Sequence, residues 1–150
     1  MLTNRLLLLA TLAGLPLASQ ASSDCSVALE GSDAMRFSTN LISVPASCHQ
    51  VTITLTHPGT LPAKVMGHNI VITDRENLQA VANDGLKAGF DNHYIKPGDE
   101  RVYGASKVIG GGESTTMTFN TGKMKAGGDY VFLCSFPGHW AMMQGTFEFK

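Results

Sequence analysis

Tyr-Val-Phe-Leu-Cys-Ser-Phe-Pro-Gly-His-Trp-Ala-Met-Met, residues 130–143, gathers a thiol, an imidazole and a thioether across one turn. Tyr130 to Cys134 is aromatic and β-branched enough for a strand, and Ser135 to Gly138 has the composition of a turn. Cys134 therefore stands where a strand gives way to a loop, with His139 and Met143 across that loop. One Cys, two His and a weakly held Met suit copper in two oxidation states, because soft sulfur favours Cu(I) and imidazole accepts either state. The stretch supplies Cys134, His139 and Met143, so one imidazole has to come from elsewhere.

The best source for it is Val65-Met-Gly-His-Asn69, where His68 follows a glycine, the residue that lets backbone come close to an ion. A lone histidine at the start of a strand is more often a surface or hydrogen-bonded core residue. The unfilled nitrogen position in the Cys134, His139 and Met143 cluster is what favours His68. His49 and His93 lie among polar loop residues, whereas His57 shares an apolar face with Val51, Ile53 and Leu55 and reads as a buried, hydrogen-bonded histidine.

Around these residues the pattern is mostly that of strands. Val51, Ile53, Leu55 and His57 alternate with Thr52, Thr54 and Thr56 and run into a Pro58-Gly59 turn. Thr115, Met117 and Phe119 alternate in the same way with Ser114, Thr116 and Thr118, and Phe147 and Phe149 alternate with Thr146, Glu148 and Lys150. Val27 to Leu29, Leu41 to Val44, His68 to Thr73 and Arg101 to Val108 are further candidates. Many short strands separated by Gly and Pro imply an all-β sandwich or barrel. One segment departs from this: Thr73-Asp-Arg-Glu76 has the form of a capping box and predicts a helix from Asp74 to Leu86 or Gly89, with Leu78, Val81 and Leu86 on its apolar side. Lys87 to Arg101 reads as loop.

The start of the chain reads as an export signal. Arg5 gives a positive n-region, Leu6 to Leu17 an apolar core, and Ser19-Gln-Ala21 a small-x-small cleavage site, so cleavage is expected after Ala21. Gly14 and Pro16 break the apolar run, which is shorter than the roughly 20 residues a membrane span needs. Of the 150 residues, 22–150 then form one domain, since that length supports one core and not two. Arg5 is the only charge lost, so 11 basic and 12 acidic residues become 10 and 12, a net charge of about −2. That balance, without like-charge blocks, argues against nucleic acid as a partner.

Three cysteines in an exported chain leave one unpaired. Cys25 and Cys48 each precede a strand-like run, and bridging them leaves Cys134 free for chemistry. In the chain-entropy model, closing the loop from 25 to 48 contributes about 3 to 3.5 kcal/mol.

Cys-Ser-Val at 25–27, Leu-Thr-His-Pro-Gly at 55–59, Leu-Pro at 61–62, Val-Met-Gly-His-Asn at 65–69 and Cys-Ser-Phe-Pro-Gly-His at 134–139 with Met143 resemble the azurins, blue copper proteins of the cupredoxin family. The resemblance covers essentially all of 22–150. It implies an eight-stranded Greek-key sandwich with one short helical flap, and one type 1 copper held by His68, Cys134 and His139. It also implies Met143 and the Gly67 carbonyl as distant axial groups, and the same Cys25 to Cys48 disulfide. Asn69, Ser135 and the Phe136 N–H are expected around the ligands. The family places an apolar docking patch at Met35, Leu61, Val65, Met66, Leu86, Phe136 and Pro137, to which Trp140 is added by its position beside His139.

The implied function is periplasmic transfer of single electrons, without enzymatic activity. The expected carrier is a monomer that meets redox proteins such as c-type cytochromes, reductases or dehydrogenases transiently. Three departures from the family stand out: Ile70 where a tryptophan is usual, Trp140 where a small residue is usual, and Ser135 in place of threonine.

Other readings of the same residues are weaker. A thiol enzyme with Cys134 as nucleophile and His139 as base lacks an evident oxyanion donor and leaves Met143 unexplained. Structural zinc requires another Cys or His in place of the thioether. A copper chaperone would expose its ligands for release, whereas these are spread over two loops of a sandwich. Gly110 to Gly112 lacks the Lys-Ser/Thr of a phosphate loop and reads as a turn.

Overall fold

Hydroxyl residues and apolar residues alternate along the strands, and the two faces find different partners. In the computed structural model, which describes residues 25–150, Val51, Ile53 and Leu55 of the strand Gln50–Thr56 are fully buried. The opposite face meets Ser114–Asn120 through paired hydroxyls, Thr52 with Thr118 at 2.9 Å and Thr54 with Thr116 at 3.0 Å. Such cross-strand threonine pairs fix register on a face that no core can select.

In chain order the strands are β1 (Ser26–Ser32), β2 (Arg36–Phe37), β3 (Leu41–Val44), β4 (Gln50–Thr56), β5 (Val71–Asp74), β6 (Val102–Ala105), β7 (Ser114–Asn120), β8 (Tyr130–Leu133) and β9 (Gln144–Phe149). One sheet runs β2-β1-β4-β7 and the other β3-β9-β8-β5-β6. The chain passes between them repeatedly, and this produces two parallel pairings, β1 with β4 and β3 with β9, in otherwise antiparallel sheets. The expected sandwich is present. Its ninth strand is the two-residue β2, which returns on β1 and buries Phe37.

The apolar residues form two clusters. The larger fills the sandwich and includes Cys134, Phe136 and Met143. The smaller, of Val71, Leu78, Val81, Ala82, Val131 and Leu133, lies between the outer face of the second sheet and the flap helix. That helix begins later than the capping box suggests. Thr73 lies within β5, and its buried hydroxyl donates to the Arg101 carbonyl at 2.8 Å, a tertiary bond that removes it as a cap. A 3-10 turn over Arg75–Asn77 follows, then the helix Leu78–Ala88, ended by Gly89 at φ 78°. Its buried stripe is Leu78, Val81, Ala82 and Gly85, and Leu86 faces outward. A shorter helix, α1 (Ala63–Met66), precedes the Gly67-His68 pair and was not foreseen, which makes the flap helix α2.

The pairing of Cys25 with Cys48 is present and ties the starts of the neighbouring strands β1 and β4. Replacing both by serine is expected to lower unfolding stability by about 3 kcal/mol. Denaturant titration of the metal-free protein measures it, and an unchanged midpoint would refute it. Among the described residues no helix is long and apolar enough to cross a membrane. The expected signal segment, 1–21, lies outside the described residues.

Candidate metal centre

β8 ends at Leu133, and the next residue begins a turn that closes on itself: the Cys134 N–H donates to the Met143 carbonyl at 2.9 Å. Within this turn the His139 N–H donates to the Phe136 carbonyl at 3.0 Å, and the Met142 and Met143 N–H groups both donate to the His139 carbonyl. The other imidazole arrives on a different segment. His68 sits in an isolated bridge with Ile109, bonded in both directions at 3.0 and 2.8 Å, just ahead of β5.

Together these segments place the Cys134 Sγ 3.9 Å from His68 Nδ1 and 3.7 Å from His139 Nδ1. The three donor atoms lie within 4.8 Å of one another, and all three residues are buried. The Gly67 carbonyl is 4.0 Å from the same sulfur. A Cβ on Gly67 would run into the Ala63 carbonyl and come within 2.5 Å of Val108 Cγ1, so only glycine lets the backbone lie here. Met143 is fully buried in the main core beside them.

Electrostatics favours a soft cation over a free thiolate. Burial pushes the Cys134 thiol up to about 12, and the N–H groups of Asn69 and Phe136, directed at the sulfur, draw it partly back. Burial likewise lowers His68, and it lowers His139 to about 4, with the nearby His68 adding to the effect. Both imidazoles are therefore neutral near pH 7, the form that ligates. A buried site with two neutral imidazoles and a sulfur that ionises only beside a positive charge fits copper.

Surrounding contacts orient the ligands. The Ser32 carbonyl accepts from His68 Nε2 at 2.8 Å, which leaves Nδ1 free to face Cys134. The His68 ring stacks on His57, centroids 4.5 Å apart. Buried His57 accepts from the Gly59 N–H at Nδ1 and donates from Nε2 to the Met66 carbonyl. Gly31 of β1 lies against the other part of the ring, where a Cβ would come within 2.9 Å of His68 Cδ2.

Asn69 joins the two ligand segments. Its Nδ2 donates to Ser135 Oγ at 2.8 Å and to the His93 carbonyl at 2.9 Å, and its Oδ1 accepts from the Ser135 N–H at 2.8 Å. Ser135 Oγ in turn donates to the Tyr94 carbonyl at 2.9 Å. His93 and Tyr94 both adopt left-handed backbone, φ 53° and 55°, a conformation non-glycine residues hold only when surrounding contacts enforce it. Asn69→Ala would leave several buried groups unpaired and is expected to cost about 3 kcal/mol. Denaturant unfolding of the metal-free variant measures this, and a loss below about 1 kcal/mol would show that the Asn69 bonds add little.

The docking-patch residues divide. Leu61, Val65 and Leu86 are exposed, while Met35, Met66 and Pro137 are half-buried. Phe136 belongs to the core, its ring 4.6 Å from His139 and 5.3 Å from Tyr94, so it supports the patch from below. Trp140 is half-buried against the smaller cluster on the flap side. Sequence reasoning missed Ser32, Gly31, His93 and Tyr94. Of these, only the left-handed pair lies near a turn signal, and the others contribute backbone or the absence of a side chain.

A two-sheet sandwich that brings one buried cysteine and two histidines together at the end of its strands defines a cupredoxin-type metal protein. The profile of copper binding proteins of the plastocyanin/azurin family matches residues 23–150, and the chain belongs to that family. Its relatives include the azurin of Alcaligenes faecalis, 52% identical over 124 residues that make up 83% of this chain and 97% of that one. The azurin of Pseudomonas denitrificans is 51% identical over 85% of this chain and 99% of its own. A solved azurin, Az-iso2 of Methylomonas sp. strain J, superposes with a TM-score of 0.81 at 40% identity, covering 84% of this chain and 98% of that one.

Proposed function

We propose that this protein is an exported electron carrier, cleaved after Ala21 and resident in the periplasm, which passes single electrons between redox proteins and catalyses no reaction of its own. The observation that carries the reading is the buried His68, Cys134 and His139 donor set within 4.8 Å. Copper, when bound, supplies the one-electron change between Cu(I) and Cu(II). His68, Cys134 and His139 would hold it, with Met143 and the Gly67 carbonyl nearby as further donors.

The chain's own contribution is to hold those donors still. His68 is fixed by Ser32 and His57, and the two ligand segments are locked by Asn69 and Ser135, so little has to reorganise when the charge changes. The Phe136 N–H steadies the charge on sulfur. Burial excludes water, which would otherwise add ligands in one oxidation state and not the other. Leu61, Val65 and Met66 form the apolar surface through which partners such as c-type cytochromes, reductases or dehydrogenases dock briefly, and the carrier itself is a monomer.

A copper titration followed by visible spectroscopy and voltammetry tests this reading. One equivalent should produce an intense thiolate-to-copper band and a reversible one-electron wave. A colourless copper complex would overturn the ligand assignment, and copper lost on reduction would point to a chaperone.

A further inference from the structure

The turn Phe136 to Met143 carries His139 at its middle and is sunk into the main core at its two ends, Phe136 and Met143. Gly138, Ala141 and Met142 are exposed, Met142 at 70%. His139 itself is held by its backbone bonds and by packing on Phe136 and His68. Its ring makes no hydrogen bond among the described residues beyond the 3.7 Å contact with Cys134. The ring of His68, by contrast, has the Ser32 carbonyl.

Two large side chains that follow His139 enter different cores. Met143 is fully buried in the sandwich core, on the inner face of the second sheet. Trp140 packs on the smaller cluster of Leu78, Val81, Ala82, Val71, Val131 and Leu133, between the outer face of that sheet and α2. Its carbonyl is fastened as well, accepting from Gln144 Nε2 at 3.1 Å at the start of β9. The turn thus grips the end of the second sheet from both faces, and Trp140, next to His139, is the grip on the outer one.

We infer that Trp140 is a positioning residue for His139, fixing the ligand turn to the flap helix and so making copper retention depend on the packing of α2. The inference rests on the copper-carrier reading above. A large apolar ring gains far more from this location than a small residue would. A turn anchored beside its middle as well as at its ends opens locally less often than one anchored at its ends alone.

The test is a double-mutant cycle with Trp140→Ala and Val81→Ala, the latter within the helix-side cluster and far in sequence from the ligands. Copper-loaded wild type is the control: if it is not blue, the carrier reading fails and not this one. Trp140→Ala is expected to release Cu(II) to a chelator on the order of tenfold faster and to speed hydrogen exchange of the Met142 and Met143 amides in the metal-free protein by a similar factor. Trp140→Phe should restore most of both. Val81→Ala should accelerate release in the wild-type background and add little once Trp140 is alanine.

A lower melting temperature with copper release and amide exchange unchanged would overturn the inference, since it would leave Trp140 a stabilising residue only. Fully additive effects of the two substitutions would overturn it too. Should Trp140→Ala fail to fold, Trp140→Leu carries the same comparison, and wild-type rates in that variant would refute the role of the indole.

Discussion

Cys134→Ser should yield a folded protein that never turns blue. The intense visible band of such a site requires charge transfer from a thiolate, and no other sulfur can substitute: Cys25 and Cys48 are bonded to each other, and a thioether carries no charge to transfer. The fold should survive, because serine is close in size and the N–H of residue 134 still closes the turn on Met143. The hydroxyl, placed among apolar core residues at 0% exposure, costs about 1 to 3 kcal/mol where it finds no acceptor. Met143→Leu separates the roles of the two sulfurs. It should keep the colour and raise the reduction potential, since the loss of any electron donor, even a weak and soft one, costs Cu(II) more than the less charged Cu(I). Absorption and voltammetry on the two copper-loaded variants decide the matter. A blue Cys134→Ser protein would end the ligand assignment.

Met66→Lys should slow electron self-exchange by well over tenfold, about 1.4 kcal/mol or more, while leaving colour and potential nearly unchanged. Met66 ends α1 directly before the Gly67-His68 pair and is half-buried beside exposed Val65. Its carbonyl, the group that holds His57, is unaffected by a change of side chain. A lysine there can extend its ammonium to water in the free protein. Docking two copies face to face would bring two such charges together and strip water from both, at a cost of several kcal/mol. High salt, and pH near the lysine pKa of about 10.4, should restore part of the rate. NMR line broadening of mixed oxidation states measures exchange, and an unaltered rate would mean that electrons leave by another face.

The chemistry was legible in the sequence and its scaffolding much less so, for a physical reason. Cys134, His139 and Met143 are local, so their spacing across one turn is visible in a linear string, and the Gly67-His68 pair stood out once a nitrogen ligand was wanted. The alternation around Val51 to Leu55 and Met117 to Phe119 announced strands because one face is buried and the other is not. What orients the ligands is distant in sequence and mostly main chain. Ser32 offers a carbonyl 36 positions from His68, and Tyr94 offers one 41 positions from Ser135. A carbonyl leaves no signature in residue identity. The capping box at Thr73 misled for a related reason: its hydroxyl had a better acceptor across the fold at Arg101, and local propensity yielded to it. Trp140 joins the docking patch in the sequence reading because it stands beside His139, whereas the cluster it packs against is assembled only in three dimensions.

The parallel pairing of β3 with β9 sets the order of events in the protein's biosynthesis. Leu41 to Val44 waits for Thr146 to Phe149, and Lys150 exchanges backbone bonds with Val44 and Ala46. Until Gln144–Phe149 has emerged the second sheet cannot be completed, so the sandwich closes late. Two of the three buried donors, Cys134 and His139, come shortly before that strand. A polypeptide that still lacks β9 therefore has no finished copper pocket, and metal loading has to follow that strand's docking.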